Sequence, residues 1–139
     1  MAQGLSVPLA CLLALVVWTV TLVLALTMVR LRHLKEGGSV RDFGVPDDRR
    51  LVWRLFRAHA NALENLPLFA AVVLVATVAG RSGAVLDALA GIYLCARIAQ
   101  SIVHVRPGAG LRFNIRFGFF VVQLACLIGF VVAIVWSPT

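Results

Sequence analysis

The chain has 139 residues, 61% of them hydrophobic and 14% charged, with a mean hydropathy of +0.96 and a formal net charge of +7. Soluble domains are about 45–50% apolar and about 25% charged, so this composition excludes an ordinary soluble domain and defines an integral membrane protein of the all-α class. The positive charge would suggest nucleic acid in a soluble protein; here it reads first as topology and as affinity for anionic groups, and no nucleic-acid partner is expected.

Residues 5–29 form an uncharged apolar run, about 37 Å long as a helix and enough to cross a bilayer. No Lys or Arg precedes it and it exceeds a signal-peptide core, so a retained first span is expected. It stops at Arg30-Leu31-Arg32-His33-Leu34-Lys35, and Gly37-Gly38 opens a polar loop that ends near Asp48. Asp47 or Asp48 is placed to cap a second helix over residues 49–79, in which Pro67 marks an expected kink. Gly80-Arg81-Ser82-Gly83 reads as a turn. A third span over 84–105 carries Asp87 near its start and Arg97, Gln100, Ser101 and His104 in its second half. After Arg106-Pro107-Gly108, a fourth span over 111–136 begins with Arg112 and Arg116, then stays apolar except for Gln123. Four spans fill a single domain over 1–139. Cys11, Cys95 and Cys126 each stand alone in an apolar run and read as small hydrophobes. The chain has no CxxC, HExxH, GxGxxG or GxxxxGK[ST] motif, so no metal or nucleotide site is expected.

The basic residues are unevenly shared among the connections. Arg30, Arg32, Lys35, Arg41, Arg49, Arg50, Arg54 and Arg57 gather at the first, and Arg97, Arg106, Arg112 and Arg116 at or near the third. The second has only Arg81 and the ends of the chain have none. By the positive-inside rule the first and third connections are cytoplasmic and both termini outside.

That topology brings three polar stripes to one depth. Arg57, Asn61 and Glu64 fall at i, i+4 and i+7 on one helical face, which Arg54 and Arg50 extend. Arg97, Gln100 and His104 fall at i, i+3 and i+7 of the third span, and Arg112 and Arg116 lie one turn apart at the start of the fourth. With Arg30 they suggest a cytoplasm-facing cationic pocket holding one carboxylate. A charge facing lipid costs at least a few kcal/mol, so these groups must face protein or water. Plainer roles stand beside that reading. Arg50, Arg54, Arg106 and Arg112 can snorkel to headgroups, Glu64 can pair with Arg57 or Arg97, and His59 lies off the stripe as a packing residue.

The run Arg57-Ala-His-Ala-Asn61-Ala-Leu-Glu64-Asn65-Leu-Pro67-Leu-Phe69 resembles the second-helix motif of the MAPEG superfamily, the membrane-associated proteins of eicosanoid and glutathione metabolism. Val29-Arg30-Leu31-Arg32, Ala96-Arg97 and Arg112-Phe-Asn-Ile-Arg116 are similar to the family's marks on the other three helices. The resemblance covers essentially the whole chain. It implies a homotrimer of four-helix subunits in the lipid bilayer, binding glutathione between neighbours and acting on a lipophilic small-molecule substrate. Arg30, Asn61 and Glu64 match glutathione-contacting positions; Arg57 matches an arginine of mixed structural and binding role. Gln100 and His104 occupy third-helix positions of the same pocket, where tyrosine or histidine is common. Arg116 matches the arginine that faces the sulfur, with Arg112 taking that role if the alignment shifts by one turn. Glutathione has two carboxylates, one ammonium and a thiol that reacts as its thiolate, so arginines with one carboxylate complement it.

Phe117 and Phe120 stand where some members have serine and tyrosine, and Tyr93 lies a full turn before Arg97. The expected activity is therefore generic glutathione transferase or peroxidase chemistry in a bacterial-type member of an inner membrane, rather than a specific eicosanoid synthase. Two other readings stay open: a non-catalytic membrane protein of the same fold, and a small proton-coupled exporter, although the first span lacks the acidic residue typical of those.

Overall fold

The computed structural model describes residues 4–108 and 113–136. Four helices follow one another: α1 Val7–Lys35, α2 Leu51–Val78, α3 Ala84–Val105 and α4 Phe113–Trp136. A short 3-10 turn, Val40–Gly44, interrupts the first connection. All four helices are long and apolar enough to cross a membrane. No strand occurs among the described residues.

Local chemistry explains the helix ends and interiors. Pro8 sits in the first turn of α1, where its missing N–H is not needed. The hydroxyls of Thr19, Thr21 and Thr27 donate to the carbonyls of Leu15, Val17 and Val23 at 2.9, 2.9 and 2.8 Å, leaving no α1 hydroxyl donor bare in the membrane. The helix runs on past Val29 through Lys35, with an exposed Arg32–Glu36 ion pair at 2.9 Å in its last turn. At the end of α2, Gly80 adopts φ +65°, and the N–H groups of Gly80 and Arg81 donate to Thr77 and Ala76 carbonyls at 3.1 and 2.8 Å. This Schellman closure needs a left-handed residue, which glycine supplies at little steric cost.

The acidic cap expected for α2 is not formed. The helix starts at Leu51, and Arg50 holds the N-cap position without a side-chain cap. Asp47 instead accepts from the Arg49 N–H at 2.9 Å, closing an Asx turn two residues too early to reach the helix. Pro67 lies within a continuous α2 and removes one rung of its ladder.

α1 packs mainly on α2, α3 packs mainly on α4, and further contacts join α1 and α2 to α3. The largest core cluster includes Leu15, Phe69, Val73, Ala90, Tyr93, Cys126 and Phe130. Phe69 stacks on Tyr93 with ring centres 4.2 Å apart and meets Phe130 edge-on at 6.1 Å. Ala58, Ala62, Ala76 and Ala90 are buried at the contacts, and such small residues let membrane helices approach closely. Two smaller clusters, around Leu22 with Ala58 and around Leu26 with Leu55, continue the core towards the arginine-rich end.

Candidate functional site

The arginine-rich end is built on backbone contacts before it holds any polar pocket. Arg54, only 9% exposed, turns inward: Nε donates to Val105 O at 2.8 Å, and Nη1 donates to Asp48 O and Arg49 O at 2.8 and 2.7 Å. Arg54 therefore caps the C-terminus of α3 and ties it to the start of α2. Arg50 likewise donates to Asp42 O at 3.2 Å and lies 3.4 Å from His33 Nε2. The guanidiniums of these two arginines thus bond carbonyls of the connections, an arrangement that stands against the alternative of plain snorkelling to headgroups.

The first connection folds against this base. Ser39 and Asp42 form a capping box, and the Asp42 carboxylate accepts from the Ser39 N–H and meets His33 Nε2, both at 2.8 Å. The His33 imidazole and the Ser39 amide hold the Asp42 carboxyl below the usual aspartate range. The turn so fixed presents Phe43, whose ring centre lies 5.3 Å from the Arg30 guanidinium carbon; Phe56 of α2 lies 5.9 Å from the same atom. Arg30 is thus positioned by two aromatic rings.

One bonded chain of side chains crosses the membrane-buried part of this end. Arg97, 1% exposed, donates through Nη1 to Asn61 Oδ1 at 2.8 Å and to Asn61 O at 3.3 Å. Asn65 Nδ2 also reaches Asn61 O and Oδ1, at 3.0 and 3.3 Å, and Tyr93 donates to Asn65 O at 3.3 Å. Asn61 Nδ2 lies 3.3 Å from His104 Nε2, and Arg116 Nη1 lies 3.3 Å from His104 Nδ1. The order Arg97–Asn61–His104–Arg116 passes from α3 to α2, back to α3 and on to α4.

Gln100 faces α4. Its Nε2 donates to Arg116 O at 2.9 Å, and its Oε1 accepts from Gln123 Nε2 at 3.0 Å. Gln123 also donates to Phe119 O at 3.0 Å. This buried amide pair joins α3 to α4 in the apolar region, where few competing partners exist.

Two clefts open beside the chain. One of about 250 Å³ is lined by Trp53, Phe56, Arg57, Asn61, Glu64 and His104. The other, about 190 Å³, has Arg57, Asn61, Gln100, His104, Arg116 and the rings of Phe117 and Phe120 on its walls. Arg57, Asn61 and His104 line both. Arg57 and Glu64 are exposed on the flank of α2, and the ion pairs among the described residues, Arg32–Glu36 and His33–Asp42, include neither. The pairing of Glu64 with Arg57 or Arg97 is therefore not formed within the chain.

The structure thus brings Arg57, Asn61, Glu64, Gln100, His104 and Arg116 to one region, and places Arg30 behind Phe56, whose ring lines the first cleft. Arg112 lies outside the described residues. The sequence places Arg97 in the pocket's third-helix stripe without a ligand-binding role of its own, and gives no site role to Asn65, Gln123 or Phe43. A charged or amide side chain in the middle of an apolar run was the available signal for Arg97 and Gln123. Nothing in the polar loop marked Phe43.

Fold and site together define a four-helix transmembrane protein with a cationic, amide- and imidazole-lined pocket at one end. The family model described as MAPEG family matches residues 8–136, and the chain belongs to that family. The family includes glutathione-dependent transferases and peroxidases as well as non-catalytic members. No curated protein and no solved structure matches the chain.

Proposed function

We propose that this protein is a glutathione-dependent membrane enzyme of the transferase or peroxidase type, working as a homotrimer on a lipophilic electrophile. The observation that carries this reading is the shared pocket: Arg57, Asn61, Glu64 and His104 line one cleft, and His104 links it to Arg116 in the next. The exposed flank position of Arg57 and Glu64 supports a site completed by a neighbouring subunit, since neither charge is tolerated against lipid. The arginine-rich end faces the cytoplasm by the positive-inside rule, which gives a water-soluble thiol access while the second substrate enters from the bilayer.

In this reading Glu64 takes the ammonium of glutathione, and Arg30 and Arg57 take its carboxylates. Asn61 supplies a neutral amide between them. The Arg116 guanidinium lies beside the sulfur, favours the thiolate over the thiol, and so raises the fraction of nucleophile at neutral pH. With a carbon electrophile the thiolate forms the S–C bond as the leaving group departs with its electron pair. With a lipid hydroperoxide, two glutathiones become a disulfide while the hydroperoxide is reduced to alcohol and water.

Turnover with a reactive aryl halide and with a lipid hydroperoxide, in wild type and Arg116→Ala, tests the reading. A glutathione-dependent rate that falls at least tenfold in the variant supports it. Glutathione binding without turnover of either substrate identifies a non-catalytic member, and no glutathione binding at millimolar concentration ends the glutathione reading. Proton-driven drug uptake into vesicles, abolished by Glu64→Gln, would replace it with an exporter.

A further inference from the structure

The bonds around Asn61 fix which end of its carboxamide the pocket receives. A guanidinium can only donate, and Arg97 Nη1 reaches both Asn61 Oδ1 at 2.8 Å and Asn61 O at 3.3 Å. Asn65 is anchored by the same backbone carbonyl. Its Nδ2 lies 3.0 Å from Asn61 O, which can only accept, and 3.3 Å from Asn61 Oδ1. Two donors therefore converge on Oδ1. Turning the Asn61 amide over would set Nδ2 against both, beside a guanidinium that is 1% exposed and has little water to relieve it. The other side of the amide then carries Nδ2, 3.3 Å from His104 Nε2. A proton on that ring nitrogen would oppose one contact, where the turned amide opposes two, so the orientation holds for either neutral tautomer. Arg97 and Asn65 line neither cleft, whereas Asn61 and His104 line both. Oδ1 is thus taken by the protein interior, and Nδ2–H is the group shown to the clefts.

We propose that Arg97 and Asn65 are positioning residues of the thiol site: they hold the Asn61 carboxamide so that it offers the ligand a hydrogen-bond donor. The ligand atom at Asn61 is then an acceptor oxygen, a carboxylate or a peptide carbonyl. The identity of that ligand rests on the glutathione reading above, to which the orientation adds a direction: an oxygen of glutathione lies on Asn61, and its ammonium lies away from it. Arg97 acts through the amide without touching the ligand. Its charge polarises the carboxamide through Oδ1 and strengthens Nδ2–H as a donor on the far side.

Nuclear Overhauser spectroscopy of the ligand-free protein in lipid nanodiscs reads the orientation. The Asn61 carboxamide protons should lie against the ring protons of His104; contact chiefly with the Arg97 guanidinium overturns the proposal. Calorimetric titration of glutathione supplies the second reading. Asn61→Asp keeps acceptors for Arg97 and Asn65 but turns a carboxylate oxygen towards the ligand, so binding should weaken at least tenfold. Wild-type affinity in that variant overturns the donor assignment. Arg97→Leu leaves the amide with Asn65 alone as its anchor. Binding should fall about fivefold, the worth of one hydrogen bond, and the contacts between the Asn61 and His104 protons should weaken with it. A folded Arg97→Leu protein with unchanged proton contacts overturns the positioning role of Arg97. If Arg97→Leu does not fold, the wild-type and Asn61→Asp readings still decide the proposal. Should wild-type protein bind no glutathione, the functional reading falls while the proton contacts still decide the orientation.

Discussion

Replacing Arg54 by methionine keeps an apolar stem and removes the guanidinium that joins two helix ends. Three carbonyls lose a charged donor at 2.7–2.8 Å: Val105 at the end of α3, and Asp48 and Arg49 ahead of α2. Hydrogen bonds to charged groups contribute about 1.5–3 kcal/mol each when buried. Water at the membrane surface can replace part of that, and the buried charge no longer has to be desolvated, so a net loss of roughly 2–4 kcal/mol follows. Reversible unfolding in mixed micelles of fixed composition measures it. Arg54→Lys should recover only part, because one ammonium cannot bond Val105 and the pair at 48–49 together in the fork geometry. A snorkelling arginine predicts a change near zero. Stability of Arg54→Met within about 0.5 kcal/mol of wild type would therefore refute the staple.

The Gln100–Gln123 pair should behave as a unit: each single change to leucine strands a buried amide and destabilises by about 1–3 kcal/mol, while the double change costs less than their sum, as a double-mutant cycle in bicelles will show. Strict additivity contradicts the bond. Phe43→Ala removes one of two rings from Arg30 and should weaken glutathione binding a few-fold, the effect of about 0.5–1 kcal/mol, with no loss of helix content. The Asp42 carboxyl is held below its ordinary value, so its bonds stabilise the 40–44 turn above the unfolded aspartate value of about 3.9 and are lost as pH falls through the lower folded value. Limited proteolysis of that loop should accelerate only on the acid side, and Asp42→Asn should remove the dependence. An unchanged acid profile in the variant would place the transition elsewhere.

How far the chain reveals itself from residues alone depends on the physics each feature uses. The four spans follow from hydropathy, and the facing of Arg57, Asn61 and Glu64 on one flank follows from the 3.6-residue period. Periodicity gives a face without saying which neighbour meets it. Arg54 sits on the same stripe as Arg57, yet it turns to the α3 terminus because unsatisfied carbonyls lie within its reach. Gln100 shares a stripe with His104, yet its amide joins Gln123 of α4, a pairing set by the approach of two helices. The expected Asp47 or Asp48 cap failed for a local reason: the Asx turn at Asp47 is satisfied before the helix begins. The Phe43 contact depends on a nine-residue-separated latch between His33 and Asp42, which has no period to detect.

The central claim is tested most directly by calorimetric titration of glutathione into the purified protein in nanodiscs, comparing wild type with Asn61→Leu, Glu64→Gln and Arg106→Ala. Saturable binding that weakens at least tenfold in the first two and is unchanged in Arg106→Ala, an exposed residue outside both clefts, is the predicted result. Equal binding by all four proteins, or none by wild type, would contradict the assignment of this pocket to glutathione.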